Sequence, residues 1–141
     1  MTCLISRALV LLPLLAPAAC SGVPVEDLKT SEFRVVRTAQ KPIWQYSQCL
    51  ADRFAALKAG DAASRKLDLK VNVTRAGIEL MSPDARQDRA PAQYWYLVQV
   101  QPIDDGVRTS AWVSRWINRP SPQEMLLRLD DAIQICGSES V

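Results

Sequence analysis

The chain of 141 residues contains no histidine, and this absence excludes several kinds of site. Without an imidazole there is no Ser-His-Asp or Cys-His arrangement and no zinc site that needs histidine ligands. Charge of one sign is not in excess either, since 17 basic and 15 acidic residues leave a net charge of +2. A dedicated nucleic-acid binder needs a basic face that replaces phosphate counterions, so no nucleic-acid partner is predicted.

The sequence also lacks a hydrophobic run long enough to span a bilayer. Its longest apolar run covers residues 8–15 and contains Pro13, whereas a transmembrane helix needs about 20 apolar residues. Arg7 precedes this run, and the small residues 16–19 follow it. A charged start, an apolar centre and a small-residue exit are the layout of a secretory signal, so residues 1–19 are predicted to be a signal peptide.

Cys20 directly follows the pair Ala18-Ala19, and Ser21 comes next. This segment resembles the cleavage site of bacterial lipoproteins, in which the cysteine after the small residues is lipidated and becomes the new N-terminus. Pro17 departs from the pattern, because the family usually has an aliphatic residue there. The resemblance implies a lipid on Cys20. It also implies the outer membrane, facing the periplasm, because Asp rather than Ser follows the cysteine in many lipoproteins of the inner membrane.

A second interpretation of this segment is cleavage by the ordinary signal peptidase after Ala18. The small residues at positions 16 and 18 would supply that site. The product would be a secreted or soluble periplasmic protein with Cys20 as a free thiol. The two interpretations therefore differ in whether a membrane is a partner of the protein.

The four cysteines are predicted to have separate fates. Cys3 leaves with the signal, and Cys20 is taken by the lipid. Cys49 and Cys136 then remain in an oxidising compartment, where two such cysteines usually pair, so we predict a disulfide between them. The chain has no Cys-x-x-Cys motif and no further cysteine to complete a metal set, so no metal site is predicted.

Periodicity predicts the order β-α-β-β-β-β-α for one periplasmic domain over residues 32–141. Residues 20–31 are polar and contain Gly22 and Pro24, so they are predicted to be the lipidated N-terminus and a flexible tether. The hairpin-like links imply an antiparallel sheet of four to five strands with two helices packed on one face, which is an α+β fold. The predicted strands are 32–38, 66–74, 78–81, 93–101 and 107–117, and the predicted helices are 42–58 and 121–137. Ser121 and Glu124 are predicted to form a capping box, and Asp104-Asp105-Gly106 a hairpin turn.

The last strand carries the residues predicted to form a binding face. Alternation directs Val107, Ala111, Val113 and Ile117 toward the helices and Arg108, Ser110, Trp112, Ser114 and Trp116 away from them. Tryptophan and arginine are enriched at interaction hot spots, so Arg108, Trp112 and Trp116 are the predicted binding face for another envelope component. The other interpretation is that these tryptophans only cover the sheet or belong to the core.

The function predicted from these observations is non-enzymatic binding or scaffolding by a small envelope lipoprotein, with no catalytic residue and no cofactor. One alternative is a domain that binds a lipid or small hydrophobic molecule in a cavity lined by Trp44, Phe54 and Leu129. A remote alternative is a hydrolase of glycans or the cell wall that uses the carboxylates of Glu79 and Asp84.

Overall fold

Five strands form one antiparallel sheet in the computed structural model, which describes residues 22–57, 69–83 and 92–138. The strands of these residues are β1 (Arg34–Ala39), β2 (Lys70–Thr74), β3 (Gly77–Pro83), β4 (Tyr94–Ile103) and β5 (Gly106–Val113). Their order across the sheet is β1-β5-β4-β3-β2, so β4 is the central strand. The helices of the same residues are α1 (Val25–Leu28), α2 (Ile43–Ala56) and α3 (Pro122–Ser138). The predicted α+β class with an antiparallel sheet is confirmed.

The bounds of several elements differ from the prediction. The last strand ends at Val113 and not at residue 117, because the Ser114 hydroxyl accepts a hydrogen bond from the Trp116 amide at 3.2 Å and turns the chain. Ser82 and Pro83 belong to β3, although they were predicted to lie in a loop. Helix α3 continues one residue past its predicted end. Residues 58, 66–68 and 84–91 of the predicted elements lie outside the described residues.

Helices α2 and α3 pack on one face of the sheet, which we call the helix face. Their apolar residues recur at spacings of three and four, so each helix has one apolar stripe that it buries against the sheet. The Phe54 and Tyr96 rings meet edge to face, with their centroids 5.9 Å apart. The fully buried members of this core include Tyr46, Leu50, Phe54, Leu80, Tyr96, Val98, Ala111, Met125, Leu129 and Ile133.

A buried tyrosine joins three elements of this core. The Tyr46 hydroxyl of α2 accepts a hydrogen bond from Thr109 of β5 at 3.0 Å and lies 3.5 Å from the Ile133 carbonyl of α3, to which it donates. Burial raises the pKa of Tyr46, and the hydrogen bond from Thr109 acts in the opposite direction. A buried hydroxyl without partners would be costly, so these bonds allow the ring to fill the core.

The opposite face of the sheet, which we call the outer face, is covered at one end by residues 22–31. The amide and carbonyl of Val23 exchange two hydrogen bonds of 2.9 Å with Tyr94, and the Ser31 hydroxyl donates to the Val113 carbonyl at 2.6 Å. The side chain of Leu28 is completely buried. It belongs to a second apolar cluster with Met81, Tyr94 and Leu97, against which Val23, Val25 and Trp112 pack.

The prediction of a flexible tether is therefore wrong for residues 22–31, which we call the N-terminal segment. The prediction rested on the polar composition of the segment. Its apolar residues Val23, Val25 and Leu28 nevertheless all contact one apolar patch. Complete burial, as for Leu28, contributes about 1.5–3 kcal/mol, and the partly buried Val23 and Val25 contribute less. These apolar contacts and the two backbone hydrogen bonds between Val23 and Tyr94 together oppose the entropy cost of ordering the segment.

The remainder of the outer face carries mainly polar side chains, with Val36 of β1 and Ile103 of β4 exposed among them. Glu79 of β3 accepts hydrogen bonds of 3.3 Å from the amides of Asn72 and Gln99 on the two neighbouring strands. We call the end of the sheet where Val23 and Val113 lie the entry end, and the end where β4 turns into β5 the hairpin end. The eight residues of β5 separate these ends by about 27 Å at ~3.4 Å per residue.

Helix α3 begins with half of the predicted capping box. The amide of Glu124 donates to the Ser121 hydroxyl at 3.2 Å, and Pro122 is the first helical residue. The carboxylate of Glu124 pairs with Arg128 one turn further on. We expect Ser121→Ala to lower the free energy of unfolding by about 1 kcal/mol, because a helix amide loses its acceptor. Urea denaturation measures this change.

The control for the cap is Gln123→Ala in the same turn, since Gln123 is exposed. We expect this substitution to change stability by less than about 0.5 kcal/mol. Equal losses in the two variants would show that the Ser121 hydroxyl does not stabilise the helix.

Candidate functional site

The predicted disulfide between Cys49 and Cys136 is confirmed. It joins α2 to α3 with an S–S distance of 1.96 Å and a Cα–Cα distance of 5.9 Å. Cys136 is buried in the helix-face core, and Cys49 packs against that core. The bridge thus fixes the two helices to one another on the face that they share. Within the described ranges, no group of three or more His, Cys, Asp or Glu residues is placed to hold a metal ion.

The predicted binding face is spread along the length of the sheet. Its alternation is as predicted, because Val107, Ala111 and Val113 lie in the helix-face core. Arg108 is exposed near the hairpin end, and Trp116 is 49% exposed in the loop beyond β5 at the entry end. Between them, Trp112 is only partly exposed, because it packs against the cluster that holds Leu28. A binding role for the three residues stays a prediction.

Among these three residues, Trp112 is the one whose exposure the N-terminal segment reduces. Its indole Nε1 is buried and has no hydrogen-bond acceptor among the described residues. Alternation places this ring on the outer face, as the structure has it, but does not show that the N-terminal segment packs beside it. The signal that could have placed it is the apolar trio at positions 23, 25 and 28, which needs a surface to cover.

Trp44 is the most exposed large hydrophobic residue described, with 65% of its surface accessible. The alternative of a domain that binds a lipid or small hydrophobic molecule depends on a cavity lined by Trp44, Phe54 and Leu129. Phe54 and Leu129 are instead 1% and 0% exposed within the core, and Trp44 lies outside it. Trp44 borders the apolar stripe of α2, as helical spacing predicts, so these three side chains do not line one cavity.

A shallow groove lies at the hairpin end, and its lining includes Ile43, the residue before Trp44 in α2. Its volume is about 340 Å³. Its apolar lining comes from the start of α2 and from β4, and its charged lining from the hairpin turn and from the residues before α2. The lining residues are Gln40, Lys41, Pro42, Ile43, Pro102, Asp104, Asp105 and Gly106.

The acidic pair of this groove occupies the predicted hairpin turn. Gly106 has a φ of 127°, and a Cβ there would lie 2.1 Å from the Ala39 carbonyl oxygen, so the turn requires glycine. The Asp105 carboxylate accepts a hydrogen bond from Gln40 at 2.7 Å. The two aspartates therefore shape a turn and leave Asp104 exposed beside the groove.

Of the two acids proposed for hydrolysis, the structure describes only Glu79. Glu79 is held between two amides on the outer face. Asp84 lies outside the described residues. The alternative of a paired-carboxylate hydrolase thus gains no geometry from the described part of the chain.

A second cleft lies at the entry end, between the N-terminal segment and the loop that follows β5. Its volume is about 230 Å³. One wall is formed by Val23, Asp27 and neighbouring residues of the segment, and the other by the loop. The lining residues are Val23, Asp27, Leu28, Thr30, Ser31, Ser114, Arg115 and Trp116.

Comparison of the chain with protein-family models, curated proteins and solved structures finds no significant match. None of the helices described is long and apolar enough to cross a bilayer.

Proposed function

We propose that this protein is a small lipoprotein of the outer membrane, anchored through Cys20 and facing the periplasm, that binds or scaffolds another envelope component without catalysing a reaction. The anchor is supported by the signal-like residues 1–19 and by the cysteine that follows them. The Cys49–Cys136 disulfide is compatible with an oxidising compartment. Binding is supported by the exposed Trp44 of α2, which follows Ile43 of the hairpin-end groove in the chain.

The anchor is tested by Cys20→Ala in the full-length protein. We expect this variant to lose labelling by a fatty-acid probe and to leave the membrane fraction, because a lipid on Cys20 is the proposed attachment. Membrane fractionation and mass spectrometry of the N-terminal peptide measure both effects. A variant that keeps its label would contradict lipidation at this cysteine.

The observation that carries the binding proposal is the exposure of Trp44 at the start of α2. A tryptophan with 65% of its surface in water gains much from a partner that covers it, and tryptophan is enriched among hot-spot residues. The adjacent groove adds Ile43 and Pro102 as apolar contacts and Asp104 as a charge at its rim. These features suit a protein partner with an apolar side chain and a basic neighbour.

A photo-crosslinking residue placed at position 44 tests this surface in cells. We expect a discrete adduct from position 44 and none from position 127, where Leu127 of α3 is similarly exposed at 59%. A second substitution, Asp104→Lys, should weaken the adduct, because it reverses a charge at the rim of the groove. Identical adducts from both positions, or none from position 44, would contradict a binding site at the hairpin end.

A further inference from the structure

The entry end of the sheet is only a few residues away from Cys20, the proposed site of lipid attachment, along the sequence. Only Ser21 stands between Cys20 and Gly22, and Gly22 is buried. Val23 is already fixed to the central strand by its two hydrogen bonds with Tyr94. Two residues reach at most about 7 Å, so a lipid on Cys20 would hold the entry end at the membrane surface. This step rests on the anchor proposed above.

The loop at the entry end exposes the residue types that favour a membrane interface. Trp116 is 49% exposed, and Arg115 and Arg119 are also exposed. No acidic residue occurs between Asp105 and Glu124. Arg115 and Trp116 line the same cleft as Val23, so the loop and the start of the folded chain are neighbours in space.

We propose that Trp116 and Arg115 contact the headgroup region of the bilayer that holds the lipid on Cys20. Tryptophan rings concentrate at headgroup depth because one edge is polar and the body is apolar. Arginine adds attraction to lipid phosphates. Asp27 shares the cleft and opposes part of this attraction, so the indole supplies most of the contact. The hairpin end, with Trp44, then points about 27 Å away from the membrane at ~3.4 Å per strand residue.

The two exposed tryptophans provide a matched pair for the test. The full-length lipoprotein is reconstituted into vesicles of phosphatidylethanolamine and phosphatidylglycerol with brominated acyl chains, which quench nearby tryptophans. The emission of each tryptophan is the difference between the wild type and Trp116→Phe or Trp44→Phe. We expect the emission of Trp116 to be quenched and shifted to shorter wavelength, and the emission of Trp44 to be unchanged. Arg115→Ser should reduce the quenching of Trp116.

Vesicle flotation and the mass of the N-terminal peptide test the anchor separately from this contact. A protein that carries the lipid and floats, but whose Trp116 is not quenched, would overturn the membrane contact and leave the proposed anchor standing. Equal quenching of Trp44 and Trp116 would also overturn it, because both ends would then lie near lipid. A protein without the lipid that stays free of vesicles would overturn the anchor and the contact together.

Discussion

Replacement of Cys49 and Cys136 by alanine is expected to lower the free energy of unfolding by about 4 kcal/mol. The disulfide joins residues 87 positions apart, so it restricts most of the unfolded chain of the domain. A loop of that size accounts for about 4–5 kcal/mol in the chain-entropy description. Small domains have only about 5–15 kcal/mol of stability in total, so the loss is a large fraction. Urea denaturation of the oxidised wild type and the double variant measures it.

Reducing agent provides the control for this experiment. It should bring the wild type to the stability of the double variant and leave the double variant itself unchanged, because that variant has no internal bridge to break. A double variant as stable as the oxidised wild type would show that the bridge adds nothing to the packing of α2 against α3. Sensitivity of the double variant to reductant would indicate a different pairing of cysteines.

Leu28→Ala is expected to lower the free energy of unfolding by about 2–5 kcal/mol. Leu28 is completely buried against the cluster of Met81, Tyr94 and Leu97. Truncation removes its apolar contacts and leaves a cavity beneath the N-terminal segment. Besides denaturation, hydrogen exchange reports on the segment itself, and we expect the amide of Val23 to exchange faster in the variant.

Leu127→Ala is the matched control for Leu28, since the same atoms are removed from a residue that is 59% exposed. We expect it to change stability by less than about 0.5 kcal/mol. If the two leucine variants lost equal stability, or if exchange at Val23 stayed slow in Leu28→Ala, the N-terminal segment would not depend on Leu28 for its attachment to the sheet.

The features that could be predicted from the sequence are those that local periodicity or compartment determines. Aromatic and β-branched residues predicted β4, and the hairpin signal Asp104-Asp105-Gly106 predicted the return of the chain as β5. Spacings of three and four predicted α2 and α3, because each helix buries one face. The disulfide followed from counting the cysteines that remain after export. Even the face that Val107 and Ala111 present was predicted, since a strand reverses its side chains at every residue.

The features that could not be predicted depend on packing between residues that are far apart in the sequence. The N-terminal segment is ordered because Tyr94 and Leu97, about seventy residues later, form its binding surface. Trp95 is another such case. Successive residues of β3 pair with Tyr94 and Tyr96, so Trp95 is the extra residue of an irregularity in β4. Its side chain therefore lies in the helix-face core, whereas simple alternation along β4 would place it on the outer face. The exposure of Trp44 is a third case, because helical spacing places it at the border of the apolar stripe of α2 and does not show how much of a border residue the sheet covers.

The hydrogen bonds between Val23 and Tyr94 have a mechanical consequence for a protein held by its N-terminus. A pulling force applied at Cys20 would act first on the hydrogen bonds between Val23 and Tyr94 of the central strand. The Cys49–Cys136 disulfide joins α2 to α3 and does not connect the N-terminal segment to the sheet. The first contacts to bear the load are those of the N-terminal segment. Their rupture would release ten residues, 22–31, and add up to about 33 Å of reach. If the protein is anchored at Cys20 as proposed, detachment of the segment would let the domain move away from the anchor while its sheet and helices stay folded.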